Sequence, residues 1–185
     1  MPGTQYLALL RGINVGGSNI IKMDALKKAF EEMGFDSVST YIQSGNVLFR
    51  TGNRTSEAVQ KRIEKGLSET FRYDARAIVV PHRMLRTVVE KAPPRFGDDP
   101  GRFRYDVIFL RNSLKPKQAV KGVTIKEGVD TVWVGKHTVY FSRLIAKASQ
   151  SRLSRIMSLP VYQDMTIRNW NTTTKLLELM DQRKK

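Results

Sequence analysis

The sequence lacks cysteine, is poor in histidine, with two, and has no long apolar run. Without cysteine there are no disulfides, thiolate metal ligands or thiol nucleophiles, as suits a chain kept in a reducing compartment. No stretch approaches the ~20 apolar residues of a membrane span, and Met1-Pro2-Gly3-Thr4-Gln5 has neither the basic segment nor the apolar core of a signal peptide. A cytoplasmic location and no membrane partner are therefore expected. His82 and His137 stand apart from any serine or acidic residue at a nucleophile or metal spacing, and Asp24, Asp106, Asp130 and Asp164 form no recognisable pair. No metal and no cofactor is expected, and no reaction is assigned by these residues.

Acidic residues are also scarce, 17 Asp/Glu against 32 Lys/Arg in 185 residues, for a net charge of +15. The excess is uneven. Residues 1–80 hold eleven basic and eight acidic side chains, and residues 81–185 hold twenty-one and nine. Such a field attracts polyanions, nucleic acid foremost, and it also serves solubility.

What is present begins with a glycine-studded loop, Arg11-Gly12-Ile13-Asn14-Val15-Gly16-Gly17-Ser18-Asn19, between a strand-like Tyr6–Leu10 and a helical pattern. Glycine reaches positive φ without a Cβ clash, and a strand–loop–helix passage aims backbone N–H groups at a ligand near the helix N-terminus. The loop lacks the Gly-Lys-Ser/Thr ending of a P-loop and the GxGxxG dinucleotide pattern. Lys22 follows it, where a cation opposes the helix dipole unless an anion shares the site.

Periodicity predicts a strand at 5–11, a helix near 21–34, strands near 37–43 and 46–50, a helix near 55–71 and a strand near 75–80. Met23, Leu26, Phe30 and Met33 share one helical face, and Val59, Ile63 and Leu67 share another after a capping Thr55 or Ser56. A helical stretch follows Pro81 and runs to about Lys91, and Pro93–Gly101 is the densest group of turn formers. Beyond it the order repeats: strand 104–110, short helix 115–121, strands 128–134 and 137–143, helix 149–158, a strand around 165–168, and a closing helix from about 171. The chain is therefore expected to be α+β, with two tandem ferredoxin-like (βαββαβ) halves, residues 1–92 and 103–185, joined by a linker at 93–102, the second half carrying an extra C-terminal helix. A single doubly wound sheet is the alternative. In the ferredoxin-like case the first two strands of a half are parallel, so the loop at 11–19 and the hairpin at Gln43-Ser44-Gly45-Asn46 lie at one end of the sheet.

Leu9-Leu10-Arg11-Gly12-Ile13-Asn14-Val15-Gly16-Gly17, Ile21-Lys22-Met23, Tyr41-Ile42-Gln43-Ser44-Gly45-Asn46-Val47 and Thr166-Ile167-Arg168-Asn169-Trp170-Asn171-Thr172 together resemble the signature segments of the bacterial domain of unknown function 1697 family. The resemblance spans almost the whole chain and implies a small cytoplasmic α+β protein. It implies no catalytic residue, cofactor or substrate.

The candidate ligand-binding residues are Arg11, Gly12, Asn14, Gly16, Gly17, Asn19, Lys22, Ser44, Gly45, Asn46, Arg168, Asn169 and Asn171. Arg168 lies where a strand gives way to a helix, Asn169, Asn171 or Thr172 can cap that helix, and Trp170 offers a face either for stacking or for the core. The expected ligand is a small anion or a nucleotide-like molecule. Nucleic acid on the basic half and a transferase or hydrolase acting on a phosphorylated compound are the alternatives. Lys136–Arg168 carries six basic residues with Trp133, Tyr140, Phe141 and Tyr162 in or near it, but no RNP1 pattern. The oligomeric state is left open.

Overall fold

The structure, a computed structural model, describes residues 3–17, 19–52 and 55–183. They form two compact units, one running through Arg83 together with Arg183, the other from Met84 to Gln182.

In the N-terminal unit the elements are β1 (Thr4–Arg11), α1 (Met23–Glu32), β2 (Asp36–Tyr41), β3 (Asn46–Thr51), α2 (Ser56–Phe71) and β4 (Arg76–Pro81). The sheet order is β2-β3-β1-β4, every neighbouring pair antiparallel. This is the ferredoxin-like arrangement, with β1 and β2 pointing the same way on either side of β3. Strand alternation places Tyr6, Ala8, Leu10, Val47, Phe49, Ala77 and Val79 in one core with the helix residues Leu26, Phe30, Val59, Ile63 and Leu67. Each large side chain buried this way stabilises the unit by about 1.5–3 kcal/mol. Thr55 caps α2, its Oγ1 accepting from Ala58 N at 3.2 Å. Gly66 in α2 lies under Met33, whose sulfur would be 2.3 Å from an added Cβ, so this glycine permits close helix packing.

The second unit holds most of α3 (His82–Glu90), then β5 (Phe103–Leu110), α4 (Pro116–Ala119), β6 (Asp130–Val134), β7 (Thr138–Leu144), β8 (Met165–Asn169) and α5 (Trp170–Gln182). Its sheet order, β6-β7-β5-β8, repeats the first unit's order and pairing sense. Two four-stranded antiparallel sheets with one topology, followed by a closing helix, make the fold the expected tandem pair.

Two expectations need correction. The segment 149–158 is not an α-helix. Three short 3₁₀ stretches, Ile145–Gln150, Leu153–Ser158 and Pro160–Asp164, stand there. Arg152 N donates to Asp130 Oδ2 at 2.8 Å instead of to a helical carbonyl, which interrupts the turn, and α4 is likewise only four residues long. The segment 93–102 belongs to the second unit, and the division between units falls at Arg83/Met84. Its turn formers position Phe96, whose ring meets Tyr105, Trp133, Tyr140 and Trp170 at centroid distances of 4.9, 5.7, 5.2 and 5.1 Å, all close to edge-on. Gly97 has φ +95°, and an added Cβ would stand 2.2 Å from Trp170 Nε1.

Tyr140 donates its hydroxyl to Val88 O at 2.7 Å, tying α3 to the sheet, and burial pushes this phenol up to about 12. Tyr73 is raised to about 12 for the same reason. A raised folded-state pKa gives stability that is whole below the unfolded value near 10 and is lost as pH rises toward 12. Urea denaturation followed from pH 8 to 12 is expected to show that decline, and Tyr140→Phe to flatten part of it. Phe96→Ala is expected to destabilise the second unit by about 3–5 kcal/mol in the same assay, against a near-zero change for Arg95→Ala.

Candidate functional site

The loop and hairpin of the N-terminal unit meet as the topology requires. Leu10 N donates to Gly45 O at 2.8 Å, and Asn14 Nδ2 donates to Gln43 O at 3.0 Å. Asn14 does more. Its Nδ2 also donates to Ile21 O at 3.0 Å and its Oδ1 accepts from Ile21 N at 2.8 Å, so one amide clamps the loop's start, its end and the hairpin. Asn14 has φ +53°, a left-handed conformation that asparagine tolerates better than most residues. Asn19 Nδ2 donates to Gly12 O at 2.9 Å, and Asn46 Nδ2 donates to Tyr41 O and Ser44 Oγ at 3.1 and 3.0 Å. The side-chain amides of this cluster thus hold the turns in shape. Gly45 is buried, and a Cβ there would stand 2.8 Å from Leu10 Cβ, so its role is steric.

Gly12, Gly16, Gly17, Asn19, Lys22 and Ser44 are exposed and Arg11 is half-buried. Lys22 occupies the N-cap position of α1 and gives no side-chain cap. Three large apolar residues of the same cluster also face solvent, Val15 at 67%, Ile20 at 76% and Ile42 at 50% exposure. Sequence reasoning had not singled these out, because isolated apolar residues in a loop look like core until the loop is built.

In the C-terminal unit the expected residues divide. Arg168 is buried on β8, where its Nη1 donates to Thr166 Oγ1 and Ile167 O, both at 2.9 Å. Burial pulls its guanidinium down to about 10, opposed by Tyr162. At neutral pH it stays charged. Asn169 caps α5, its Oδ1 accepting from Asn171 N at 3.0 Å while its Nδ2 donates to Tyr105 O at 3.2 Å. Asn171 and Trp170 then open on a groove of about 370 Å³, lined also by Phe103, Arg104, Tyr105 and Arg143.

The groove exists because β8 ends early. Its pairing with β5 begins at Asp106↔Asn169, so among the described residues no strand flanks Phe103–Tyr105 on that side. Arg104 and Arg143 are directly opposite in the β5–β7 register, an arrangement of like charges that costs free energy unless something negative intervenes. Asp106 partly answers Arg104, with Oδ2 2.9 Å from its Nε. Arg143 is different. Asp130 is its register partner on β6 and has Oδ1 without a partner among the described residues, yet Arg143 forms no ion pair or side-chain hydrogen bond among those residues and lines the groove instead. The Asn171 side chain is likewise unengaged among the described residues. Neither arginine was singled out beforehand. Arg104 and Arg143 are thirty-nine positions apart, and only the register brings them together.

Among the described residues no group of three His, Cys, Asp or Glu is placed to hold a metal ion, and no helix is long and apolar enough to cross a membrane.

The profile of the family described as "Protein of unknown function (DUF1697)" matches residues 4–140. The chain belongs to that family. The matched part contains the glycine-rich loop and the hairpin, whereas the segment from Thr166 to Thr172 lies beyond it. A conserved bacterial protein from Streptococcus pneumoniae has a similar structure, with a TM-score of 0.82 and 24% identity over 95% of this chain and 98% of that one. The likeness is one of fold. No match to this chain was found among curated proteins.

The Asn14 clamp is testable by itself. Asn14→Ala is expected to lower stability by about 2–4 kcal/mol, through three lost hydrogen bonds and partners left unsatisfied. Hydrogen exchange should quicken at Ile21 and around Gln43 while that of α5 stays unchanged.

Proposed function

We propose that this protein binds a small anionic ligand in the groove of its C-terminal unit, with Arg143 as the principal contact. The observation that carries the reading is an arginine that lines a groove, faces a second arginine across two strands and has no partner among the described residues, although a carboxylate oxygen on the neighbouring strand is also without one. A guanidinium offers a planar fork of donors suited to carboxylate or phosphate. The surrounding charge supports it. Residues 84–182 carry seventeen basic side chains against nine acidic ones, a field that raises the local concentration of anions.

The glycine-rich loop is a second seat for such a ligand, favoured by the N-terminus of α1, where Lys22 makes no side-chain cap bond. Its contacts would be backbone N–H groups and Lys22, since Asn14, Asn19 and Asn46 have their amides engaged within the loop and hairpin. A nucleic-acid partner would use exposed cations such as Arg152 and Arg155. Enzyme chemistry on a phosphorylated compound would need a group to carry proton transfer, and no residue of the groove is assigned that role.

Thermal unfolding with inorganic phosphate separates these readings. A ligand that binds only the folded chain stabilises it by about 2.7 kcal/mol at a hundred times its Kd. The wild type is expected to gain Tm with phosphate, Arg143→Ala to lose that gain, and Lys22→Ala to keep it. An equal gain in Arg143→Ala overturns the groove as the site, and loss of the gain in Lys22→Ala moves the site to the loop. Affinity for single-stranded RNA that falls steeply with salt, without a phosphate response, favours the polyanion reading.

A further inference from the structure

We infer that the ligand of this groove carries a planar ring beside its anionic group, as a nucleoside monophosphate does; the inference rests on the anion-binding reading above and narrows it. The groove is large for a bare oxyanion. Its volume of about 370 Å³ falls in the range of small-molecule pockets, roughly 300–1,000 Å³. The residues that line it bring together two chemistries, the aromatic Phe103, Tyr105 and Trp170 on one hand and the basic Arg104 and Arg143 on the other.

Trp170 is held in place before any ligand arrives. Phe96 packs edge-on against it at 5.1 Å and 86°, and Gly97 abuts the indole so closely that no side chain fits between them. Trp170 also opens α5, with Asn169 capping the helix immediately before it. A ring whose orientation is fixed in advance loses little freedom when another ring stacks on it. Asn171 follows, and its amide, unengaged among the described residues, has a donor and an acceptor side by side. That pairing matches the mixed donor–acceptor edge of a nucleobase, whereas phosphate offers acceptors alone. The groove's lining therefore offers both charge for an anionic group and a surface for a flat polar heterocycle.

The test is isothermal titration calorimetry on the full chain with four probes: adenosine monophosphate, ribose 5-phosphate, inorganic phosphate and adenosine. Adenosine monophosphate is expected to bind roughly ten- to a hundred-fold more tightly than ribose 5-phosphate, the factor that a stacked base supplies. Asn171→Ala and Trp170→Leu should each reduce that advantage and leave ribose 5-phosphate unaffected. Asn171 is exposed, so its variant remains informative if Trp170→Leu fails to fold. In a Trp133→Phe background Trp170 is the remaining tryptophan of the two, and adenosine monophosphate should quench its emission. Equal affinities for adenosine monophosphate and ribose 5-phosphate, both abolished by Arg143→Ala, overturn the ring and leave the anion site standing. Binding of adenosine monophosphate that is indifferent to Arg143→Ala, or no binding of any probe, overturns both.

Discussion

The edge-on contacts of Phe96 with four other rings are the constraint on which the groove of the C-terminal unit rests. A single buried phenyl ring fixes Tyr105 on β5, Tyr140 on β7 and Trp170 at the start of α5, and touches Trp133 on β6. Aromatic quadrupoles favour this geometry, and the interior has no spare volume in which the rings could rearrange. Gly97 allows the chain to pass the indole. Two walls of the groove, Tyr105 and Trp170, are thereby set by packing and do not depend on a bound molecule.

The two motif-bearing regions differ in what folding leaves over. At the glycine-rich loop, amide after amide closes back onto a carbonyl of the same loop or the adjoining hairpin, and the left-handed backbone of Gly12, Asn14, Gly16, Gly17 and Asn19 describes a turn that is built and then braced. At the groove, capping engages Asn169, while the side chains of Arg143 and Asn171 have no partner among the described residues. Polar groups that the fold does not use are the ones available to a ligand. The loop's composition pointed to a site, and the hydrogen bonds show the amides of Asn14, Asn19 and Asn46 bracing the loop and hairpin themselves.

The sheet architecture was legible because strands and amphipathic helices announce themselves by period. The short apolar runs Leu7–Leu10 and Val47–Phe49, and the four-residue spacing of Val59, Ile63 and Leu67, led to the right topology and to the meeting of loop and hairpin. The 149–158 segment misled because two apolar residues three apart, Leu153 and Ile156, satisfy a helical pattern that cannot register the competing hydrogen bond from Arg152 N to Asp130. Pro93–Gly101 read as a linker because turn formers are common to linkers and to tightly folded loops, and Phe96 was the sign of the latter. Of the groove, Asn169 and Asn171 were visible as a motif at a strand–helix junction. Arg104 and Arg143 were not, since their proximity is a matter of strand register and no local pattern encodes it.

Asn14 has a consequence for how the N-terminal unit responds to its chemical surroundings. In a chain without cysteine, the three segments it joins are cross-linked by an amide that neither oxidises nor ionises. The bonds that brace the loop are thus untouched by oxidation and carry no titrating group, and the braced loop and hairpin present Val15, Ile20 and Ile42 to solvent.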